Sequence, residues 1–236
     1  MLESFKNFED RPDYTKSWPD SFDFETDEAC QNVFKPFIED QLQRMKAYDA
    51  KRPDDITYIF HDHAQRVATD IESTCRHMGL GDKIARNMYW ALLPHDIGKM
   101  GLPVDIWDTE EKPDGDLKTQ RRTHTIIGAE LIDAHLKDIN HPFKTLMIDI
   151  MLHHHEQMDG NGTFGFQAED LSTPVRLSAI VEAYDGWHIW RPHYADRDIS
   201  APSVLKRMRE EKGADIFDME LFEPFADVKM KETTSC

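Results

Sequence analysis

Cysteine is scarce in this chain of 236 residues: only Cys30, Cys75 and Cys236 occur. An odd number set far apart supports neither a disulfide framework nor a cysteine-based zinc site. Long apolar runs are missing as well, since nothing approaches the roughly 20 residues of a membrane span. The opening, MLESFKNFEDRPDY, is acidic where a secretory leader is basic and then greasy. The expectation is a cytoplasmic protein with no membrane contact. Positive charge is also in short supply, with 28 Lys and Arg against 45 Asp and Glu and a formal net charge of -17. That balance excludes a protein that coats a nucleic-acid polymer, because nothing neutralises a row of phosphates. A small anionic substrate would need a local device such as a metal. Alternating strand patterns, internal repeats and low-complexity tracts are absent too.

What the sequence does contain is helical period. Phe34, Phe37, Ile38, Leu42 and Met45 keep a 3.6-residue spacing, as do Ile56, Phe60, His63, Val67, Ile71 and Cys75. Ile84 to Leu92, Ile127 to Ala134 and Phe143 to His154 mark three more helices, and Val175–Gly186, Ala201–Arg209 and Met219–Phe225 a further three. The fold class is all-α. Residues 1 to about 27 lack period and read as an irregular, partly ordered arm. Residues 1–50 are then an N-terminal arm with an accessory helix, and residues 51–236 one catalytic domain.

The chemistry lies in the histidines. His63 shares an apolar stripe with Phe60 and Val67, so its ring points into the core. In ALLPHDIGKMGLP, His95 and Asp96 are adjacent, Gly98 permits a close backbone approach and Lys99 supplies a point charge suited to phosphate. His124 lies on the stripe of Ile127 and Leu131. The stretch LHHHEQMDGNGTFG, residues 152–165, puts three imidazoles side by side. There His154 and His155 follow the inward stripe and His153 falls at its edge. Imidazoles arriving from several helices with one or two carboxylates form a set that binds Fe, Mn or Zn.

The order His63, His95-Asp96, His124, His154-His155 and a late carboxylate resembles the HD superfamily of metal-dependent phosphohydrolases. Within it, the chain is most similar to the HD-GYP branch of cyclic di-GMP phosphodiesterases. The segments HDIGKMGLP, KPDGDL, HTIIGAELI, HHEQMDGNG and FDMELFEPF carry the likeness over roughly residues 55–226. The resemblance implies an HD-domain helical bundle with a dinuclear centre in its core. Asp96 would bridge, with His63, His95 and Glu182 on one metal and His124, His154 and His155 on the other. Fe or Mn are the expected ions, with Zn, Ni and Mg as alternatives. Lys99 and Arg191 would hold the phosphate of a cyclic dinucleotide, with Asp185 as a second acid on the substrate side and Asp96 and Lys99 as the catalytic pair. An acid one turn before the first histidine, which can hold a third metal in the family, is Ile59 here, leaving His61 and Asp62 as spare donors.

Four departures accompany the likeness. Gly162, Thr163 and Phe164 replace Gly-Tyr-Pro, Glu182 stands at an Asp position, Tyr194 stands at a basic one, and Pro94 directly precedes His95, where a mid-helix proline would kink the chain. Two other functions stay open on this reading: a cyclic-dinucleotide sensor that binds without cleaving, and an HD-fold mixed-valent di-iron oxygenase. The N-terminal arm is the expected contact for a second copy of the chain or a signalling partner. Trp187 and Trp190 read as packing, and His77, His135, His141, His188 and His193 as surface or satisfied histidines.

Overall fold

Ten α-helices account for most of residues 17–234, the part of the chain that the computed structural model describes. They are α1 (Lys35–Asp49), α2 (Phe60–His77), α3 (Gly81–Leu92), α4 (Gly115–Arg122), α5 (His124–His135), α6 (Pro142–His153), α7 (Thr173–His188), α8 (Ala201–Arg207), α9 (Gly213–Ile216) and α10 (Met219–Thr234). No strand occurs among the described residues. The expected irregular arm is partly out of view, because residues 1–16 lie outside the described part. Residues 17–27 are irregular but packed: Phe22 and Phe24 are buried. The Asn87 side chain on α3 holds them, donating to the carbonyls of Pro19 (2.8 Å) and Phe22 (2.9 Å) and accepting from the Phe24 N–H (2.8 Å).

The helices pack in an order that brings one end of α2 to the centre. α2 lies along α3, α7 crosses α2 and α6, and α10 closes over α2, α7 and α8. The start of α2 is fixed by the end of α1: the buried Asp49 carboxylate accepts from the N–H groups of Phe60 (3.2 Å) and His61 (2.9 Å). An acid there satisfies two orphan donors of the first turn and complements the helix dipole. His63 sits within that turn, so its ring inherits a fixed origin.

Pro94 causes no kink. α3 stops at Leu92, and Pro94 lies just past the cap residue Leu93, where its missing N–H is not needed. The chain then turns through His95 and Asp96 into a 3-10 helix, Ile97–Gly101. Gly98 meets α5 so closely that a Cβ would lie 1.9 Å from the His124 carbonyl oxygen and 2.5 Å from the Gly128 nitrogen. Only glycine allows that approach, and it sets the His95-Asp96 turn directly against the residue that carries the next imidazole.

Candidate metal centre

The expected residues converge in the core. His63, His95, Asp96 and Glu182 form one group and His124, His154 and His155 a second, each with its ligand atoms within 4.8 Å of one another. Asp96 joins the two. Its Oδ2 faces His63 Nε2 (3.4 Å) and His95 Nε2 (3.3 Å), while its Oδ1 faces His124 Nε2 (3.1 Å) and His154 Nε2 (3.9 Å). Glu182, on α7, is buried and brings Oε2 to 2.7 Å from His63 Nε2 and 3.3 Å from His95 Nε2. The extra methylene of Glu over Asp is thus accommodated inside the bundle.

The imidazoles are held from behind. Nδ1 of His95 lies 2.9 Å from the Leu92 carbonyl, that of His124 2.6 Å from the Arg121 carbonyl, and that of His154 3.0 Å from the Met151 carbonyl. A carbonyl only accepts, so each Nδ1 carries a proton and Nε2 is the ring nitrogen left to face inward toward a metal. His63 Nδ1 is held instead by Asp185 Oδ2 at 2.6 Å, and Arg66 in turn clamps Asp185. Asp185 therefore lies behind a ring and not on the substrate side where the sequence reading put it.

These donors fit metal ions better than they fit one another. Nε2 atoms face each other at 3.2 Å between His63 and His95 and at 3.3 Å between His124 and His154. Asp96 Oδ1 and Glu182 Oε2 are buried without a well-formed hydrogen bond, which is costly unless a cation takes the lone pairs. Protonation divides along the same line. Burial disfavours the charged His63 ring, yet Glu182, Asp185 and Asp96 outweigh it and raise its pKa well above the ordinary value. His95 is raised in the same way by Asp96 and Glu182 against its burial. Burial and the neighbouring His95 and His124 push His154 down to about 3, and burial with His154 and His124 lowers His155 as well.

His153 stands apart but is not at an exposed edge. It is buried, with Nδ1 2.9 Å from Asp149 Oδ1, while Ser172, the N-cap of α7, donates to Asp149 Oδ2 at 2.7 Å. Its ring packs edge-on against Phe166 at 4.9 Å. His61 and Asp62 pair with each other at 3.3 Å, and both lie outside the two groups.

Lys99 donates to Asp96 Oδ2, and its ammonium lies among aromatic faces, 4.5 Å from the Phe60 ring centre, 5.6 Å from Tyr58 and 5.7 Å from Trp107. Arg191 lies 4.0 Å over Tyr58, one of those three rings, which is 5.0 Å from His63. Tyr58 is thus a site residue that no period or spacing marked. Glu156, also unmarked, is buried and accepts from the N–H groups of Phe164 (2.7 Å), Gly165 (3.0 Å) and Phe166 (3.0 Å), which shapes the loop where Gly-Thr-Phe replaces Gly-Tyr-Pro. Tyr194 is buried and bonded to the Gly186 carbonyl at 2.7 Å, a structural anchor in place of a cation. Trp190, expected as packing, is 42% exposed.

A helical bundle that gathers five imidazoles with Glu182 around one shared Asp has the donor set of a metal-binding core. The sequence profile of the HD domain matches residues 32–221, so the chain belongs to the HD domain family. It is 33% identical over 178 residues to cyclic di-GMP phosphodiesterase PA4108 of Pseudomonas aeruginosa, covering 74% of this chain and 40% of that protein. It is 25% identical over 167 residues to 3'3'-cGAMP-specific phosphodiesterase 1 of Vibrio cholerae, covering 68% of this chain and 36% of that one. The chain thus spans well under half the length of these relatives. Among solved structures, Bd1817, a HDG"Y"P protein from Bdellovibrio bacteriovorus, shares the fold with a TM-score of 0.59 at 18% identity, over 87% of this chain and 64% of that one. No helix among the described residues is long and apolar enough to cross a membrane.

Proposed function

We propose that this chain is a cytoplasmic, metal-dependent phosphodiesterase that hydrolyses a cyclic dinucleotide such as cyclic di-GMP. One observation carries the reading: Asp96 presents one oxygen to the His63-His95 pair and the other to the His124-His154 pair. Two divalent ions, Fe or Mn by the mixed nitrogen and oxygen donors, would polarise the phosphoryl oxygens and lower the pKa of water. His63, His95, Asp96 and Glu182 would hold one ion; His124, His154 and His155, with Asp96 shared, would hold the other. Lys99 holds the shared carboxylate and places an ammonium beside it, where it would meet a phosphate oxygen. Arg191, stacked on Tyr58, brings a guanidinium to the edge of the site, where it would orient a phosphate. The names of the relatives, phosphodiesterases of cyclic di-GMP and 3'3'-cGAMP, support this substrate class.

Metal analysis of protein purified under low oxygen, paired with turnover of cyclic di-GMP, cyclic GMP-AMP and a linear dinucleotide, tests the reading. Wild type should carry about two ions per chain and cleave a cyclic dinucleotide. Asp96→Asn should lose most metal and all turnover while keeping its helical circular dichroism. Unchanged metal content in that variant would refute the dinuclear centre. Binding of cyclic di-GMP by metal-loaded wild type without cleavage would refute the enzyme.

A further inference from the structure

Arg191 is an arginine beside acids that pairs with none of them. Arg66 and Arg121, which also border the centre, spend their N–H groups within the protein. Arg66 donates to Asp185 at 2.6 and 3.0 Å, and Arg121 donates to the carbonyls of Ile106 (2.7 Å) and Trp107 (2.9 Å). Arg191 forms no ion pair and no side-chain hydrogen bond with a described residue, and its Nε is buried without a partner. Its side chain lies against α7, where a Cβ on Gly186 would stand 3.4 Å from Nη2. The acids of α7 just before that glycine are already engaged: Asp185 holds His63 and Arg66, and Glu182 faces His63 and His95.

The backbone around Arg191 is pinned on both sides. Thr57 Oγ1 donates to the Trp190 carbonyl, and Tyr194 Oη donates to the Gly186 carbonyl at 2.7 Å. Only the side chain then remains to be placed, and a long, rotamer-rich side chain is costly to hold still. Its guanidinium carbon lies 4.0 Å from the centre of the Tyr58 ring. The register runs residue for residue: Thr57 takes the backbone of Trp190 and Tyr58 takes the side chain of Arg191. An aromatic face attracts a guanidinium through the ring quadrupole, and stacking leaves the N–H groups at the edge of the plane free to donate. The same ring is 5.0 Å from His63 and 5.6 Å from the Lys99 ammonium. Both cations assigned to a phosphate thus share one ring, whose negative face offsets their mutual repulsion.

We infer that Tyr58 is a positioning residue for the proposed hydrolysis, its ring holding the Arg191 guanidinium in place to meet a phosphate on the His63 side of the centre. The inference rests on the proposed phosphodiesterase activity, in which Arg191 orients that phosphate. Tyr58 touches no reacting atom and acts through Arg191. With the ring in place, ordering of the arginine is largely complete before substrate arrives, so its hydrogen bonds to phosphate are not spent on freezing rotamers. Without the ring, the guanidinium has no partner among the described residues to keep it there.

A double-variant cycle on the metal-loaded protein tests the role, with cyclic di-GMP or cyclic GMP-AMP as substrate, whichever wild type turns over. Tyr58→Leu should lower kcat/KM about tenfold, with metal content and helical circular dichroism as in wild type. Added to Arg191→Ala, the same change should cost less than about twofold, because the residue it positions is already gone. Tyr58→Phe keeps the ring and should recover most of the loss. Equal losses in the two backgrounds would overturn the role, as would a Tyr58→Phe variant no better than Tyr58→Leu. Metal loss in Tyr58→Leu would make the ring a support of His63 and overturn it as well. Should Tyr58→Leu fail to fold, Tyr58→Met fills similar space without an aromatic face and takes its place in the cycle. If wild type cleaves neither cyclic dinucleotide, the phosphodiesterase reading fails. The positioning role is then judged by calorimetric binding of inorganic phosphate to the same variants, where coupled losses support it, and additive losses or no binding by wild type overturn it.

Discussion

Along His153-His154-His155 the chain leaves α6, and that change of direction decides what each imidazole meets. His153 is the last helical residue and points back to Asp149 four residues earlier, whereas His154 is the cap and His155 lies in the following turn. His154→Ala should therefore lower metal content and activity with little change in fold. His153→Ala should leave metal content near wild type but lower stability by about 1–3 kcal/mol, because it removes a buried imidazole that meets Asp149 Oδ1 and packs against Phe166. Metal analysis and urea unfolding of the two variants separate the roles; equal metal loss from both would refute this division. The inward phase of His63, His124 and His154 was legible from the apolar stripe each one continues. The partners behind the rings were not: a backbone carbonyl at Leu92 or Arg121 has no signature in sequence, and Asp185 reads as a second site acid until the fold places it on the far side of His63.

Among the elements, the long helices were legible from their apolar spacing and α4 was not. Its eight residues, GDLKTQRR, contain a single apolar side chain, Leu117, so no period exists to be read. Tyr58 was missed for a related reason, since it precedes α2 and belongs to no stripe. α10 shows how a polar contact can fasten an element that period alone describes as amphipathic. Lys229 reaches the buried Asp70 on α2 at 2.9 Å. Burial raises the Asp70 pKa to about 6 despite the opposing charge of Lys229. A raised carboxylate pKa means that ionised Asp70 weakens the fold increasingly as pH rises through that value, and that the penalty fades as pH falls toward the unfolded pKa. Removing the cation enlarges the penalty only where Asp70 is charged. Lys229→Ala should thus cost about 3 kcal/mol at pH 8 and clearly less at pH 5, read by denaturant unfolding at the two pH values. A cost independent of pH would assign the contact to packing of the lysine stem.

For the whole molecule, the centre couples stability to metal and proton together. In the metal-free protein, His63 and His95 have raised pKa values, so they retain protons that a metal would displace. Their contribution to the metal-free fold is fully present below the unfolded histidine pKa and is lost as pH rises through the folded values. His154 and His155 are already neutral. Loading should therefore release protons from the His63-His95 group, on the order of one per chain or more at pH 7, and should raise Tm more at pH 8.5 than at pH 6. Calorimetric titrations in buffers of different ionisation enthalpy measure the proton count, and zero release would contradict the assigned protonation states.

The hold of Asn87 on residues 19–24 also sets where the molecule can be cut. A fragment trimmed to residues 32–221, the span matched by the family profile, would leave the Asn87 amide facing a hollow lined by Trp90 and Phe143, the rings on which Phe24 rests. At its other end it would lose Phe222, Phe225 and the lysine that neutralises Asp70. Recombinant work aimed at the smallest autonomous unit should therefore keep residues 17–234, since the shorter piece exposes greasy surface at both ends and invites aggregation during expression.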